Sequence, residues 1–493
     1  MLDDTAFDAA VVERFAPLFR PRTIAVIGAS EKGTAQGNAF IRNLREARFE
    51  GSIYPIHPTS TQLEGLPAYR SLADVPEAID YAYVAVSAER VPGALASGAG
   101  RVRFAQVMSG GFGEVAGGQI LERQAVDAAR DGGMRLLGPN CMGTYSPAGR
   151  MTFMGGGVGE AGNVGVLSQS GGLSLDMLRQ GRDRAIRFSG VISLGNCADL
   201  GAGDLLDYFL ADAHTHVIGM YLEHVADGRA FFERLRAAQG RKPVVILKGG
   251  QTDQGQRAAT SHTGALAAAH EIWRGMARQT GAVLVDTLAQ FMDVLAALQA
   301  YPLRSVVPRG HVVLFGNGGG ASVLATDYLA ARGLHVAPLD PATAEALADT
   351  RVSGTSFVNP IDVPANVLQR DHGDLARRIL ATIAAREAPD AIVVHLNLPV
   401  IAGYRHVDLV GELLDAVIRL RAELASRSHV LLVLRSNRDQ ACIERVRGLA
   451  TRLMDAGLPV FDELANAGDA LVALHLLERF RARGRPAAAE LHA

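Results

Sequence analysis

Thr23-Ile24-Ala25-Val26-Ile27-Gly28-Ala29-Ser30-Glu31-Lys32-Gly33 decides the fold class. Its first five residues form an unbroken, β-branched-rich apolar run, the pattern of a strand covered on both faces. A glycine turn follows, and then the amphipathic spacing of a helix. Strand, glycine turn and helix in that order open a doubly wound α/β unit. The rhythm recurs at Ser52–Ile56, Tyr81–Val86, Phe104–Met108 and Met134–Leu137. A glycine-rich stretch, Arg150–Gly162, reads as a linker or surface hairpin. Strand candidates resume at Val164–Ser168, Phe188–Leu194, Val217–Glu223 and Pro243–Lys248, with helices at Leu173–Arg179 and Ala230–Ala238. A third series starts at His311–Phe315 and continues through Ala391–Leu396, His429–Leu434 and Leu458–Phe461. The expected fold is therefore α/β, three consecutive doubly wound units. The boundaries fall at 1–149, 150–302 and 303–480, with a flexible tail at 481–493.

Composition agrees with that count. The chain has 493 residues, and domains average roughly 150. Lys plus Arg is 49 and Asp plus Glu is 51, a net charge of −2, so no chain-wide field draws nucleic acid or anionic lipid. Three cysteines cannot form a disulfide framework. No apolar run spans a bilayer, and Met1-Leu2-Asp3-Asp4 lacks the basic and apolar regions of a secretion signal. The expectation is a cytoplasmic protein without membrane or nucleic-acid partners.

Three segments carry chemistry. Gly28–Gly33 opens amides toward a helix start, which favours a phosphate. A nicotinamide dinucleotide would want a second glycine where Ser30 stands and an acid where His57-Pro58-Thr59 ends the second strand. A nucleotide of another kind and a plain packing turn both fit. Ser168-Gln169-Ser170-Gly171-Gly172-Leu173-Ser174 is a second strand-to-helix turn, read as an anion site or a plain connector. Thr260-Ser261-His262-Thr263-Gly264-Ala265 lies between a Gly/Gln/Arg-rich loop and a helix starting near Ala265. His262 is there a nucleophile or acid/base group, or a capping residue. Glu223, ending a buried-looking strand, can orient an imidazole or stand solvated. No G-x-x-x-x-G-K-[ST] loop and no zinc-like spacing occurs; Cys141 and Cys197 read as small packing residues.

Taken together, Val26-Ile27-Gly28-Ala29-Ser30, Tyr54-Pro55-Ile56-His57-Pro58, Gly138-Pro139-Asn140-Cys141, Ser168-Gln169-Ser170-Gly171, Ser193-Leu194-Gly195-Asn196, Tyr221-Leu222-Glu223 and Ser261-His262-Thr263-Gly264 resemble the nucleoside-diphosphate-forming acyl-CoA synthetases. These include succinyl-CoA synthetase α subunits and ADP-forming acetyl-CoA synthetases. Gly318-Gly319-Gly320 and Asn359-Pro360-Ile361-Asp362 look like the third, flavodoxin-like domain of the acetyl type.

The resemblance implies a Rossmann-like CoA-binding domain followed by two flavodoxin-like domains. CoA would lie along Gly28, Ser30, Gly37 and Pro58, its thiol end near Gly110, Gly111, Phe112 and Asn140. Phosphate would sit at Ser170, Gly171 and Gly172. His262 would be phosphorylated, with Glu223 on its other ring nitrogen. The substrates would be acyl-CoA or a carboxylic acid and phosphate. The resemblance also implies dimerising α chains and a separate ATP-grasp β subunit supplying ATP or ADP and Mg, since no such region is recognisable here. A nucleotide-independent CoA or carbamoyl transferase, a non-catalytic CoA-binding protein and an NAD-dependent dehydrogenase are the alternatives. The family's Lys after Pro58 is Thr59 here, and Leu175 stands where succinyl-type members carry Tyr.

Overall fold

The computed structural model describes residues 4–483 apart from 239–240, 264–269, 351–356, 365–367, 369, 403–408 and 425–426. It describes the backbone alone at 4–7, 260–263, 349, 402 and 409. The chain gathers into two compact units, Met1–Gln180 with Arg187–Asp286, and Gly181–Ile186 with Thr287–Ala493.

The first unit contains two sheets. In one, β1 (Thr23–Ile27), β2 (Ser52–Ile56), β5 (Ile79–Val84), β6 (Val102–Val107) and β7 (Arg135–Leu137) run parallel in the order β2-β1-β5-β6-β7. A small hairpin, β3 (Gln62–Leu63) with β4 (Leu66–Pro67), follows β2. The other sheet comprises β8 (Gly143–Tyr145), β9 (Val164–Ser168), β10 (Phe188–Ser193), β11 (Val217–Leu222), β12 (Val244–Lys248) and β13 (Val283–Val285). Its order is β13-β12-β11-β9-β10-β8, parallel except for the antiparallel β8. The helix Asp4–Phe19 joins the two. Phe15, Leu18 and Phe19 are fully buried, and the Phe19 ring stacks 4.0 Å from that of Tyr208. Burying each such side chain stabilises by about 2 kcal/mol.

The second unit holds one parallel sheet, β15-β14-β16-β17-β18: β14 (Val312–Gly316), β15 (Ile361–Asp362), β16 (Ala391–Asn397), β17 (His429–Arg435) and β18 (Val460–Phe461). Among the described residues no helix is long and apolar enough to cross a membrane.

Each sheet reverses its winding once, between β1 and β5, β9 and β11, and β14 and β16. Ligands of open α/β sheets gather outside the carboxyl ends of strands at such points. Those ends carry the Gly28 turn, the Ser170 turn with Glu223, and the Gly318 turn.

Two local expectations differ from the structure. Gly143–Tyr145, read as part of the first unit, pairs Tyr145 with Val191 and so edges the second sheet. Three residues on a sheet edge carry no periodicity to read. The Gly/Gln/Arg-rich segment before His262 is not a loop but the helix Asp253–Thr263, so His262 lies within a helix rather than at its entry. Gln, Arg and Ala in that segment are good helix formers and outweigh Gly255.

Candidate active site

Gly28 has φ +102°, and a Cβ there would lie 2.2 Å from Ala85 O. A Cβ on Gly37 would lie 2.5 Å from Ala29 N. Only glycine lets the helix Gln36–Glu46 start against this turn. Asn38 holds the turn from behind. Its Oδ1 accepts the Ser30 amide at 2.8 Å, and its Nδ2 donates to Ser30 O and to Glu64. Pro58 is exposed on the neighbouring loop. There Ser60 N donates to His57 Nδ1 and Ser60 Oγ donates to Glu31. Gly28 and Ser30 thus lie on the turn after β1, Gly37 in the first turn of the helix that follows and Pro58 on the neighbouring loop, with Lys32 exposed on the same turn as Ser30. The second strand ends without the acid that a nicotinamide ribose would need.

The loop after β6 differs from a simple ligand cradle. Gly111, at φ +103°, and Phe112 both donate their amides to Glu114, and Gly113 donates its amide to Glu122 at 3.2 Å. The Phe112 ring is fully buried in the core of the first sheet. Asn140, at φ +58°, is exposed and donates to Asn196 Oδ1 at 3.4 Å.

A cavity of about 290 Å³ brings Asn140, of the expected thiol end, together with the phosphate turn. Met108, Asn140, Cys141, Met142, Gln169, Ser170, Gly171, Gly172, Gly195 and Asn196 line it. The helix Gly171–Asp183 starts at its wall, so the helix dipole favours an anion there. Ser168 Oγ and Ser174 Oγ donate to Ser170 O, fixing the turn, while a Cβ on Gly172 would meet nothing within 4 Å.

Gln169 ties this cavity to Glu223. Its Oε1 accepts the amides of Glu223 and His224, and its Nε2 donates to His224 O at 2.9 Å and to Cys197 Sγ. Glu223 is 5% exposed, and its Oε1 accepts from Tyr221 OH at 2.9 Å. Lys248, at the end of β12, donates from Nζ to Glu223 O at 2.9 Å and to Gly249 O. Burial holds the Lys248 ammonium below its ordinary value, against the pull of Glu223. Burial also pushes the Cys197 thiol up to about 12, so it stays protonated. The helix Asp253–Thr263, which carries His262, follows β12. The His262 side chain lies outside the described residues.

The structure therefore groups Asn140, Ser170, Gly171 and Gly172 around one cavity and anchors Glu223 to its wall through Gln169. Gly28, Ser30, Gly37 and Pro58, on the turn, helix start and loop at the first sheet, are not in the cavity lining, and neither are Gly110, Gly111 and Phe112. The positions that sequence reasoning left without roles are Glu114, Glu122, Asn196, Gln169 and Lys248. Gln169 and Asn196 stand inside the Ser168–Gly171 and Ser193–Asn196 motifs, and Glu114 directly follows Gly110-Gly111-Phe112-Gly113, but the contact that gives each its role joins distant segments.

Comparison with known proteins identifies the family and the domain types. A CoA binding domain profile matches residues 22–147, and a succinyl-CoA ligase like flavodoxin domain profile matches 161–298. The acetate–CoA ligase (ADP-forming) I subunit alpha of Pyrococcus furiosus is 37% identical over 327 residues, covering 65% of this chain and 70% of that subunit. The acetate–CoA ligase (ADP-forming) I of Archaeoglobus fulgidus is 36% identical over 349 residues, 70% of this chain; the match spans half of that longer protein. A dinucleotide-forming acetyl-coenzyme A synthetase 1 of Ca. Korarchaeum cryptofilum, solved with phosphate and ADP, superposes with a TM-score of 0.81 at 30% identity. That match covers 95% of this chain and 97% of that one. The expected α/β class holds, with a CoA-binding domain followed by a succinyl-CoA ligase-like flavodoxin domain, and the chain belongs to the nucleoside-diphosphate-forming acyl-CoA synthetase family, as a relative of its ADP-forming acetate–CoA ligase α subunits.

Proposed function

We propose that the chain is the α-type catalytic component of an ADP-forming acyl-CoA synthetase. Phosphate held at Ser170, Gly171 and Gly172 attacks the thioester carbonyl of an acyl-CoA. The C–S bond breaks, CoA leaves as its thiol, and an acyl phosphate forms. A ring nitrogen of His262 then attacks phosphorus, the bridging P–O bond breaks, and the carboxylate departs. Glu223 takes the proton-bearing nitrogen of that ring, fixing the tautomer and supporting the cation that develops. The helix start at Gly171 stabilises the negative charge in both steps. An ATP-grasp partner, with Mg, delivers ADP to receive the phosphoryl group. CoA lies along Gly28, Ser30, Gly37 and Pro58, with its thiol end at Asn140. Gly110 and Gly111 shape that end through their backbone.

The observation that carries this reading is the cavity that joins Asn140 to the Ser170 turn and, through Gln169, to Glu223. Incubation with acetyl-CoA and labelled inorganic phosphate, with no nucleotide present, should leave an acid-labile, base-stable label on the wild-type chain. His262→Asn should carry no label while its affinity for CoA stays within twofold. A wild-type chain that binds CoA and takes up no label would end the proposal.

A further inference from the structure

The glycine-rich loop after β6 already holds an anion, and it is the chain's own. Both oxygens of Glu114 accept the Phe112 amide at 3.2 Å, and Oε1 also accepts that of Gly111. Backbone amides converging from a left-handed turn form a nest that favours a carboxylate. Burial raises the Glu114 carboxyl, but hydrogen bonds from Asn196, Gly111 and Phe112 together hold it below its usual range. A Cβ on Gly110 would come 3.0 Å from Glu114 Oε1, and one on Gly113 would come 2.6 Å from Glu122 Oε1. The glycines thus make room for the two acids.

Asn196, on the loop after β10, closes the arrangement. Its Nδ2 donates to Glu114 Oε2 at 2.5 Å and to Glu122 Oε2 at 2.8 Å. A primary amide has two hydrogens on one nitrogen, so it can satisfy one oxygen of each acid. Its Oδ1 stays available to accept from Asn140. Asn140 and Asn196 both line the cavity. The backbone adds to the tie: Asn140 N donates to Ser109 O and Asn196 N to Pro139 O.

We infer that Glu114 is a positioning residue for the thiol end of CoA: through the Gly111 and Phe112 amides and the Asn196 carboxamide, it locks the loop after β6 to the loop after β10 and sets where Asn140 stands. The inference rests on the function proposed above. Glu114 touches no reacting atom. It makes the loop a preformed wall, and the Gly111 and Phe112 amides are not donors for a ligand phosphate while it stays in place. An acid in place of Asn196 would bring three carboxylates together, whose mutual repulsion opens the loop when all are ionised and favours uptake of a proton by one of them.

The test uses the full chain. In Glu114→Gln the new amide faces the Asn196 amide donor to donor, and in Glu114→Asp the carboxylate is one methylene too short for both contacts. Each should lower CoA affinity by calorimetry and raise the KM for acetyl-CoA in the phosphate-labelling reaction, about tenfold for Gln. The labelling rate at saturation should stay within twofold. Asn196→Asp should bind CoA poorly at pH 8 and regain affinity toward pH 6, as one of the three acids takes up a proton. Amide exchange without ligand should show Gly111 and Phe112 protected in the wild type and fast in Glu114→Gln, with the thermal midpoint held within a few degrees. Unchanged CoA affinity in Glu114→Gln together with a wild-type pH profile in Asn196→Asp would overturn the inference. A wild-type chain that bound no CoA would sink the functional proposal instead, while the exchange measurement would still decide whether the lock exists.

Discussion

Glycine has opposite meanings at different positions of this chain, and the surroundings of the missing Cβ decide which. At Gly37 a methyl group would press on the backbone of Ala29 and Gly28, atoms with no freedom to move aside. Gly37→Ala should cost about 2 kcal/mol by overpacking, read as a lower urea midpoint. It should weaken CoA binding as well, because the helix Gln36–Glu46 must back away from the turn. At Gly275, inside the helix His270–Thr280, nothing lies within 4 Å of the same added carbon. Gly275→Ala should raise stability by about 0.5–1 kcal/mol, through lower chain entropy in the unfolded state and better helix propensity. A pair of urea melts decides both. Equal effects of the two changes would contradict the packing argument. Sequence alone distinguished these glycines only partly: Gly28 stood out because a strand precedes it, whereas the reason for Gly37 is a contact across the turn.

At the scale of elements, legibility followed burial. Val164–Ser168 was readable because both faces of β9 are covered, so every residue is apolar or small. Gly143–Tyr145 was not, because a three-residue edge owes its pairing to Val191 and Ser193 on β10. The candidate site divides the same way. Ser170 and Glu223 announce themselves at strand ends, but the side-chain ties of Gln169, Asn196 and Glu114 cross up to 82 sequence positions. The helix Leu464–Arg483 shows the limit most clearly. Its Glu478 is fully buried and accepts from Arg304 Nε and Nη2 at 2.9 and 2.8 Å, and from His429 Nε2 at 2.9 Å. No spacing rule connects residues 174 positions apart. Glu478→Ala leaves the buried Arg304 guanidinium with only the more distant Asp390 carboxylate, at 3.9 Å, as counter-charge and should destabilise the second unit by about 3 kcal/mol. One helical turn away, His475 is 2% exposed with neither ring nitrogen partnered. His475→Leu removes an unsatisfied polar group at similar volume and should stabilise by about 1 kcal/mol. Calorimetry on the two variants reads both, and a loss of stability in His475→Leu would show that the ring has a partner after all.

For the molecule as a whole, the buried imidazoles make acid tolerance a property of the second unit. His395 is fully buried, with Nε2 bound to Ser322 Oγ at 2.9 Å. Burial and the Arg435 charge push it down to about 4, against the pull of Asp362. His475 is likewise pushed down to about 4, by burial, with Asp390 and Glu478 opposing and Arg304 and His429 adding to the shift. Burial lowers His429 too, against its hydrogen bond to Glu478. In each case the folded state prefers the neutral ring, whereas an unfolded histidine takes a proton near pH 6.5. Stability is therefore complete above pH 6.5, falls as pH drops through that value, and for His395 and His475 stops falling near pH 4. A shift of this size corresponds to about 3 kcal/mol for His395 alone. Glu478 adds a second, lower window. Its hydrogen bonds to Arg304 and His429 outweigh burial and hold it near 2, so its contribution is lost as pH falls from about 4.5 toward 2. Scanning calorimetry from pH 7.5 to 4.5 should show the transition of the second unit moving down by several degrees, mostly below pH 6.5. In His475→Leu the same descent should be shallower, because one of the protons that drives it is gone. A transition that holds its temperature from pH 7 to pH 5 would mean that these rings are reached by water and titrate as they do in the unfolded chain.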